Sequence, residues 1–338
     1  MRGMVFLGDR RVKVHDFPDP TPGPGEAVVR IRAAGLCGSD LGLYRGERAA
    51  TWVCGHEPCG EVVALGPGVA APAIGDRVIV YHYAGCGVCR HCRAGWEQLC
   101  LRGGHRVYGF GADGANATAL VIPARALVPL PEPLSFEEGA AIACGTGTAY
   151  AALVRLDVSG RDTLVVYGQG PVGLSATLLG KAMGARVIAV DLAPARLELA
   201  RALGADEVVD ASVVDPVAAV RALTRGEGAE ATLDCTGSGT ARAQAVRSTR
   251  VFGRACFVGE GGTVALNPTP DIIHRHLTLY GSWTFSTILL EECARFIVDR
   301  HVPLGRLITG RFPLEQAGEA FRQFADGAPG KFVLVMPG

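Results

Sequence analysis

The stretch Thr163–Asp191, TLVVYGQGPVGLSATLLGKAMGARVIAVD, constrains the fold more than any other part of the chain. An apolar run, Leu164–Tyr167, meets a turn carrying Gly168, Gly170 and Gly173. A helical pattern follows from Val172 through Met183, and a second apolar run, Val187–Val190, ends on Asp191. Glycines at this spacing permit a tight turn and close backbone approach, so that a pyrophosphate can rest on the helix N-terminus at Pro171 and Val172. An acid closing the next strand can accept hydrogen bonds from an adenosine ribose. The bare glycine triplet is a weak signal. Strand, turn, helix, strand and acid in order make a dinucleotide-binding unit the expectation.

The rest of the chain sorts into textures around this unit. Up to about Val128, short runs rich in Val and Ile (Ala27–Ala33, Gly60–Leu65, Asp76–Val80, Ala119–Ile122) are bounded by Gly and Pro and predict an antiparallel, loop-rich domain. Glu137–Leu153 is Ala-rich and predicts a helix interrupted at Gly145 and Gly147. Thereafter strands (Leu164–Tyr167, Val187–Val190, Glu207–Val209, Ala231–Asp234, Ala255–Val258, Leu277–Tyr280) alternate with helices (Val172–Met183, Ala195–Leu203, Pro216–Arg225, Ala241–Ser248). That alternation demands a doubly wound parallel sheet. Past Gly281, helices near Leu290–Asp299 and Leu314–Phe324 and a strand Lys331–Val335 are expected to return to the first domain.

Composition excludes some classes. The chain has 338 residues and zero formal net charge, with no basic run, which speaks against nucleic acid or an anionic membrane surface as partner. Its N-terminus is interrupted by charge and no apolar run reaches membrane-spanning length, so a cytoplasmic protein is expected. Lysine is confined to Lys13, Lys181 and Lys331, while arginine is abundant.

Of the 11 cysteines, Cys86, Cys89, Cys92 and Cys100 crowd into GCGVCRHCRAGWEQLC. Without a secretory signal, this reads as metal ligation rather than a disulfide framework. Four thiolates complete a tetrahedral zinc site with no open position, which makes its role structural. The spacing alone also admits an iron–sulfur cluster, and His91 inside the loop is a competing ligand. Three further residues, Cys37, His56 and Cys144, are scattered. Taken singly they read as buried thiols and a loop histidine.

Together these pieces resemble the zinc-dependent medium-chain alcohol dehydrogenase family, over essentially the whole chain. The resemblance rests on Gly55-His-Glu57, on Cys-Gly-Ser-Asp at Cys37–Asp40, on the four-cysteine lobe and on Gly168–Gly173. It implies a GroES-like, mostly antiparallel β catalytic domain (1–146, with a structural zinc lobe at 85–101, and 282–338) and a doubly wound Rossmann domain (147–281). It also implies NAD and two zinc ions per chain, a small-molecule alcohol substrate, and a homodimer or homotetramer.

The resemblance further implies that Cys37, His56 and Cys144 hold a catalytic zinc with its fourth position open to water or substrate. Ser39 then relays the substrate proton, and Asp40 and Glu57 stand behind the metal, with Asp40 orienting His56. Thr148 packs against the nicotinamide, and Thr236 and Gly259 line the cofactor groove. Plainer readings stand beside these: Asp40 as a helix cap, Glu57 as a solvated charge, Arg196 as a solvent-facing helix residue rather than an adenosine contact. A 2′-phosphate beside Asp191 would meet like-charge repulsion, so NAD is expected over NADP.

Two departures qualify the resemblance. Gly42 stands where some members carry a relay histidine. Cys144 stands where polyol and threonine branches place a glutamate, which favours simple alcohols. His82 occupies a position that is usually aromatic and substrate-facing; it either selects a polar substrate or bonds a backbone carbonyl. Trp283 and Phe285 either wall the pocket or serve packing or subunit contact. The alternatives are an NAD-dependent dehydrogenase of a sugar, polyol or cyclitol hydroxyl, and a non-catalytic nucleotide-binding relative. A zinc-free quinone or enoyl reductase shares the fold, but Asp191 and the four-cysteine lobe speak against it.

Overall fold

A computed structural model describes residues 1–337. The chain divides into two units: Met1–Gly147 joined by the segment from Phe285 onward, and Thr148–Thr284.

The first unit is built on a seven-stranded sheet. Its centre is the long strand Glu26–Gly35, flanked by Pro58–Leu65 and Lys331–Val335 and also paired with Ala119–Pro123. These pairings are antiparallel, as the expected texture requires. Strands Arg77–Val80 and Leu127–Pro129 extend one side and Ile308–Pro313, parallel to Lys331–Val335, the other. Val29, Ile31, Ala33 and Ala34 are fully buried, which explains why this strand can carry neighbours on both edges. Its register sets Ala34 opposite Pro58 and Gly35 opposite Val333. The strand ends at Gly35 and Pro58, and the head of Lys331–Val335, therefore meet at one corner.

A separate hairpin, Arg2–Gly8 with Arg11–Asp16, precedes this sheet. The helical stretch after the sheet changes its winding: Phe136–Ala141 is α-helical, Ile142–Thr146 is π-helical, and Gly147 onward is α-helical again. Ser135 caps its start, accepting from Glu138 N while the Glu138 carboxylate accepts from Ser135 N. The interruption expected from Gly145 and Gly147 is thus a widened turn rather than a break. Such turns recur at functional sites.

The second unit is a six-stranded sheet in the order Glu207–Asp210, Arg186–Asp191, Thr163–Tyr167, Ala229–Asp234, Thr249–Phe257, Thr278–Gly281. Every pairing in it is parallel. Numbered along the chain the order is 3-2-1-4-5-6, and it reverses between Thr163–Tyr167 and Ala229–Asp234, where such sheets bind ligands. Helices Pro171–Ala182, Pro194–Ala202, Pro216–Leu223 and Gly239–Ser248 make the crossovers. Val165, Ile188, Val190 and Val220 pack into its core, where the Tyr167 hydroxyl pairs with Ser248 Oγ at 2.5 Å. No helix among the described residues is long and apolar enough to cross a membrane.

Candidate metal centres and dinucleotide cradle

At the corner where Glu26–Gly35 ends, the chain turns through Cys37 into the short helix Asp40–Arg45. Asp40 is fully buried and divides its carboxylate. One oxygen accepts from Cys37 N at 3.0 Å and the other lies 3.0 Å from His56 Nδ1. Asp40 therefore fixes both the cysteine loop and the imidazole, and it caps no helix through its side chain. The opposite ring nitrogen, Nε2, lies 3.4 Å from Ser39 Oγ.

Cys144 comes from the π-helical turn, and its sulfur lies 4.0 Å from that of Cys37. Donor atoms of Cys37, His56, Cys144 and Glu57 all fall within 4.8 Å of one another. Two thiolates about 2.3 Å from a tetrahedral zinc stand roughly 3.8 Å apart, so the observed sulfur spacing fits that ion. The two thiols are unequal. The hydrogen bond from Cys144 holds Cys37 well below the usual thiol range despite burial, while the same contact and burial push Cys144 up.

Burial lowers the affinity of His56 for a proton, but the charge and hydrogen bond of Asp40 outweigh it and raise the imidazole well above its ordinary range. Burial lifts Glu57 to about 7 against the pull of Lys331. The Glu57 reading as a solvated charge is corrected: it is fully buried and ion-paired to Lys331, which is 1% exposed. Lys331 Nζ also donates to Leu36 O at 2.8 Å, so one ammonium ties Glu57 to the residue preceding Cys37.

Cys86, Cys89, Cys92 and Cys100 form a second donor group, all within 4.8 Å. Sulfur separations of 3.9 Å (Cys86–Cys92) and 3.4 Å (Cys89–Cys92) again suit tetrahedral thiolate ligation. His91 is outside the group. Buried Glu97 accepts from Gly85 N at 2.6 Å and from Arg125 Nε at 2.9 Å, which anchors the base of the loop.

The glycine turn of the second unit has the form of a cradle. Gly168 adopts φ +87°, and a Cβ at Gly173 would stand 1.7 Å from Gly168 O, so both positions exclude side chains. Gly170 caps the 12-residue helix Pro171–Ala182 without a side-chain bond, and a Cβ there would meet nothing within 4 Å. Pro171 has no N–H, so the first-turn amides of Val172 and Gly173 are the donors an anion there would meet.

Asp191, expected to accept from an adenosine ribose, also takes three backbone amides on its carboxylate. Oδ2 accepts from Gln169 N at 2.5 Å, and Oδ1 from Leu192 N at 2.8 Å and Ala193 N at 2.9 Å. Nearest-neighbour amides satisfy a buried carboxylate first, leaving one lone-pair direction for a ligand. Arg196 is half-buried in the first turn of Pro194–Ala202. Thr236 donates its amide (2.9 Å) and hydroxyl (2.5 Å) to Asp234 Oδ1, and Gly259 N donates to Asp234 O at 3.0 Å. Thr148 is buried and opens the second unit.

Of the proposed pocket residues, His82 is 2% exposed with its ring 4.9 Å from that of His56. Burial and the neighbouring His56 hold it well below the usual histidine range, and its Nδ1 has no hydrogen-bond partner. Trp283 belongs to the second unit and is 42% exposed. Phe285 is a core residue, fully buried 5.7 Å from the Tyr81 ring. Lys331, Gln169 and Phe110, whose ring lies 5.0 Å from that of His56, were not singled out from sequence. A lone lysine heading the apolar run KFVLV was the one available signal.

This constellation has known counterparts. Residues 171–299 match the zinc-binding dehydrogenase family and residues 23–132 the alcohol dehydrogenase GroES-like domain. The chain is 39% identical to a zinc-type alcohol dehydrogenase-like protein of Escherichia coli K12, over 100% of this chain and 99% of that one. It is 32% identical to the L-threonine 3-dehydrogenase of Symbiobacterium thermophilum, over 95% and 93%. The alcohol dehydrogenase TADH of Thermus sp. ATN1 superposes with a TM-score of 0.93 at 31% identity, covering 100% of both chains. The chain belongs to the zinc-type alcohol dehydrogenase family.

Proposed function

We propose that this protein oxidises an alcohol to an aldehyde or ketone with NAD, reversibly. The supporting observation is the buried convergence of Cys37, His56 and Cys144, in a chain whose other unit carries an uncapped glycine cradle. In this reading Met1–Gly147 with the C-terminal segment is the catalytic unit, and Thr148–Thr284 binds the dinucleotide. Cys37, His56 and Cys144 would hold a zinc ion, which would supply the Lewis acidity that lowers the pKa of the substrate hydroxyl, and NAD bound to the other unit would supply the hydride acceptor.

The chain's own groups do the rest. Asp40 holds Nδ1 of His56, so Nε2 stays aimed at the metal position. Ser39 Oγ, beside that nitrogen, relays the substrate proton, giving up its own hydroxyl proton to water as it accepts the substrate's. The Glu57–Lys331 pair places a neutralised carboxylate behind the ligands. In the dinucleotide unit, Gly170 and the first turn of its helix receive the pyrophosphate, Asp191 takes a ribose hydroxyl on its remaining lone pair, and Thr236, Gly259 and Thr148 line the groove.

His82 supports a second reading of the substrate. A buried imidazole nitrogen without a partner, next to His56, favours a molecule that brings a second polar group, as a polyol or a hydroxy amino acid does. Trp283, 42% exposed on the second unit, remains open to a pocket wall or to packing or subunit contact.

A panel of simple alcohols, polyols, cyclitols and L-threonine with NAD, followed at the NADH absorbance, tests the proposal. Turnover of at least one class is expected, and failure of all with fully zinc-loaded protein contradicts it. If His82 selects a polar substrate, His82→Phe lowers kcat/KM about tenfold for that substrate and spares a simple alcohol. Equal losses for both contradict the role.

The lobe should act structurally. Cys89→Ser is expected to cost one of two zinc ions and lower Tm, while the remaining zinc still supports turnover in the folded fraction. Zinc analysis and a melt check it, and unchanged zinc content contradicts it. The same reading implies a homodimer or homotetramer in the cytoplasm, with no nucleic-acid or membrane partner; light scattering reports the assembly.

A further inference from the structure

Two loops of the dinucleotide unit are joined by a side chain to which neither the sequence nor the family resemblance assigns a role. After the strand Ala229–Asp234 the chain turns through Thr236 and Gly237; after Thr249–Phe257 it turns through Gly259–Gly262. The turns press backbone to backbone. A Cβ on Gly259 would stand 2.1 Å from Gly237 N, and one on Gly262 would stand 2.3 Å from Gly237 O. Gly237, Gly261 and Gly262 all adopt positive φ, so the segment has few side chains of its own to fix it.

Arg242, on the helix Gly239–Ser248, reaches across both turns. Its Nε donates to Asp234 Oδ2 at 3.3 Å, one terminal nitrogen donates to Gly261 O at 2.7 Å and Gly262 O at 3.2 Å, and the other donates to Gly259 O. The guanidinium lies over the Phe257 ring, 5.6 Å from its centroid, and the side chain is 12% exposed. Asp234, fully buried, uses its other oxygen for Thr236 N and Oγ1. Thr236 in turn abuts the glycine cradle: a Cβ on Gly168 would meet Thr236 Cγ2 at 2.5 Å. One guanidinium thus links the ends of two neighbouring strands, Ala229–Asp234 and Thr249–Phe257, and through Thr236 it backs the glycine cradle where the sheet order reverses.

We propose that Arg242 is a positioning residue for the dinucleotide, holding the Thr236–Gly237 and Gly259–Gly262 turns in the geometry that accepts it. Three carbonyl oxygens converge on the guanidinium. Without it their like partial charges face one another in a glycine-rich segment, and the turn relaxes into the groove. The proposal rests on the reading that this unit binds NAD.

The test is a fluorescence titration of NADH into wild type, Arg242→Met, Arg242→Lys and Arg242→Gln, with Tm and zinc content measured on the same preparations. For Arg242→Met, Kd for NADH and KM for NAD are expected to rise about tenfold or more, with kcat at saturating NAD within about twofold of wild type and zinc unchanged. Arg242→Lys, which keeps the charge and part of the donor set, is expected to recover much of the affinity. A folded Arg242→Met that binds NADH as tightly as wild type overturns the proposal. If that variant does not fold, Arg242→Gln decides: it is expected to bind more weakly than Arg242→Lys, and wild-type affinity in both overturns the proposal. Wild type that fails to bind NADH overturns the underlying reading instead, which separates the two failures.

Discussion

Replacing Cys37 with serine is expected to lower kcat/KM by on the order of 10³-fold, about 4 kcal/mol of transition-state stabilisation, while NADH binding survives. The loss follows from the geometry of the corner. The Cys37 sulfur is 4.0 Å from that of Cys144, and its loop is held by the same carboxylate that orients His56. Serine is a poor zinc ligand, and its removal of one thiolate leaves two of three donors. NADH binding is spared because Gly168, Gly170, Gly173 and Asp191 all belong to the other unit. Steady-state kinetics, zinc analysis and NADH fluorescence on one preparation check the result. A variant with wild-type turnover removes Cys37 from the ligand set.

Asp191→Gly carries the second large effect, on cofactor choice. At about 4 Å and an effective dielectric near 20, a carboxylate and one phosphate charge repel by on the order of 4 kcal/mol. Deleting the acid is therefore expected to shift the NAD-to-NADP ratio of kcat/KM toward NADP by roughly 10²–10³-fold. The carboxylate's present partners add to this. The amides of Gln169, Leu192 and Ala193 converge on it, and once freed they form a nest of donors that a 2′-phosphate can occupy. The same bonds brace the glycine turn, so affinity for NAD itself should fall as well. An unchanged ratio means that another residue reads the ribose.

The second unit was the more legible from sequence, and the reason is physical. Its strands are buried on both faces, so Leu164–Tyr167 and Val187–Val190 stand out as continuous apolar runs, and glycines mark the turns between. Strand Lys331–Val335 was read to the residue. The hairpin Arg2–Gly8 with Arg11–Asp16 escaped notice. Its first strand is buried almost throughout rather than alternately, its second is half-exposed and charged, and its turn places Asp9 and Arg10 at positive φ without the usual Asn-Gly signal.

Within the candidate site, local sequence names the donors but not their company. The Cys37–Asp40 and Gly55–Glu57 motifs are legible because each is contiguous. The bonds that fix them come from register: Ala34 opposite Pro58 brings the two motifs together, and Val333 opposite Gly35 carries Lys331 to Glu57. The π-helical turn that presents Cys144 is a change of winding that composition does not encode. Gln169 sits at a variable position of the glycine triplet, yet it is fully buried and bonds Val166 O and Thr177 Oγ1. Phe285 stayed open between pocket wall and packing, since an aromatic near a pocket and one in a core look alike in sequence, and its full burial beside Tyr81 makes it packing.

The measurement closest to the central claim is the rate of NADH formation from an accepted alcohol as zinc is withdrawn and restored. A chelator that strips the ion held by Cys37, His56 and Cys144 is expected to abolish turnover in step with the loss of one zinc per chain, with NADH still bound, and added zinc should restore it. Undiminished turnover by protein that retains only the four-cysteine zinc would contradict the account.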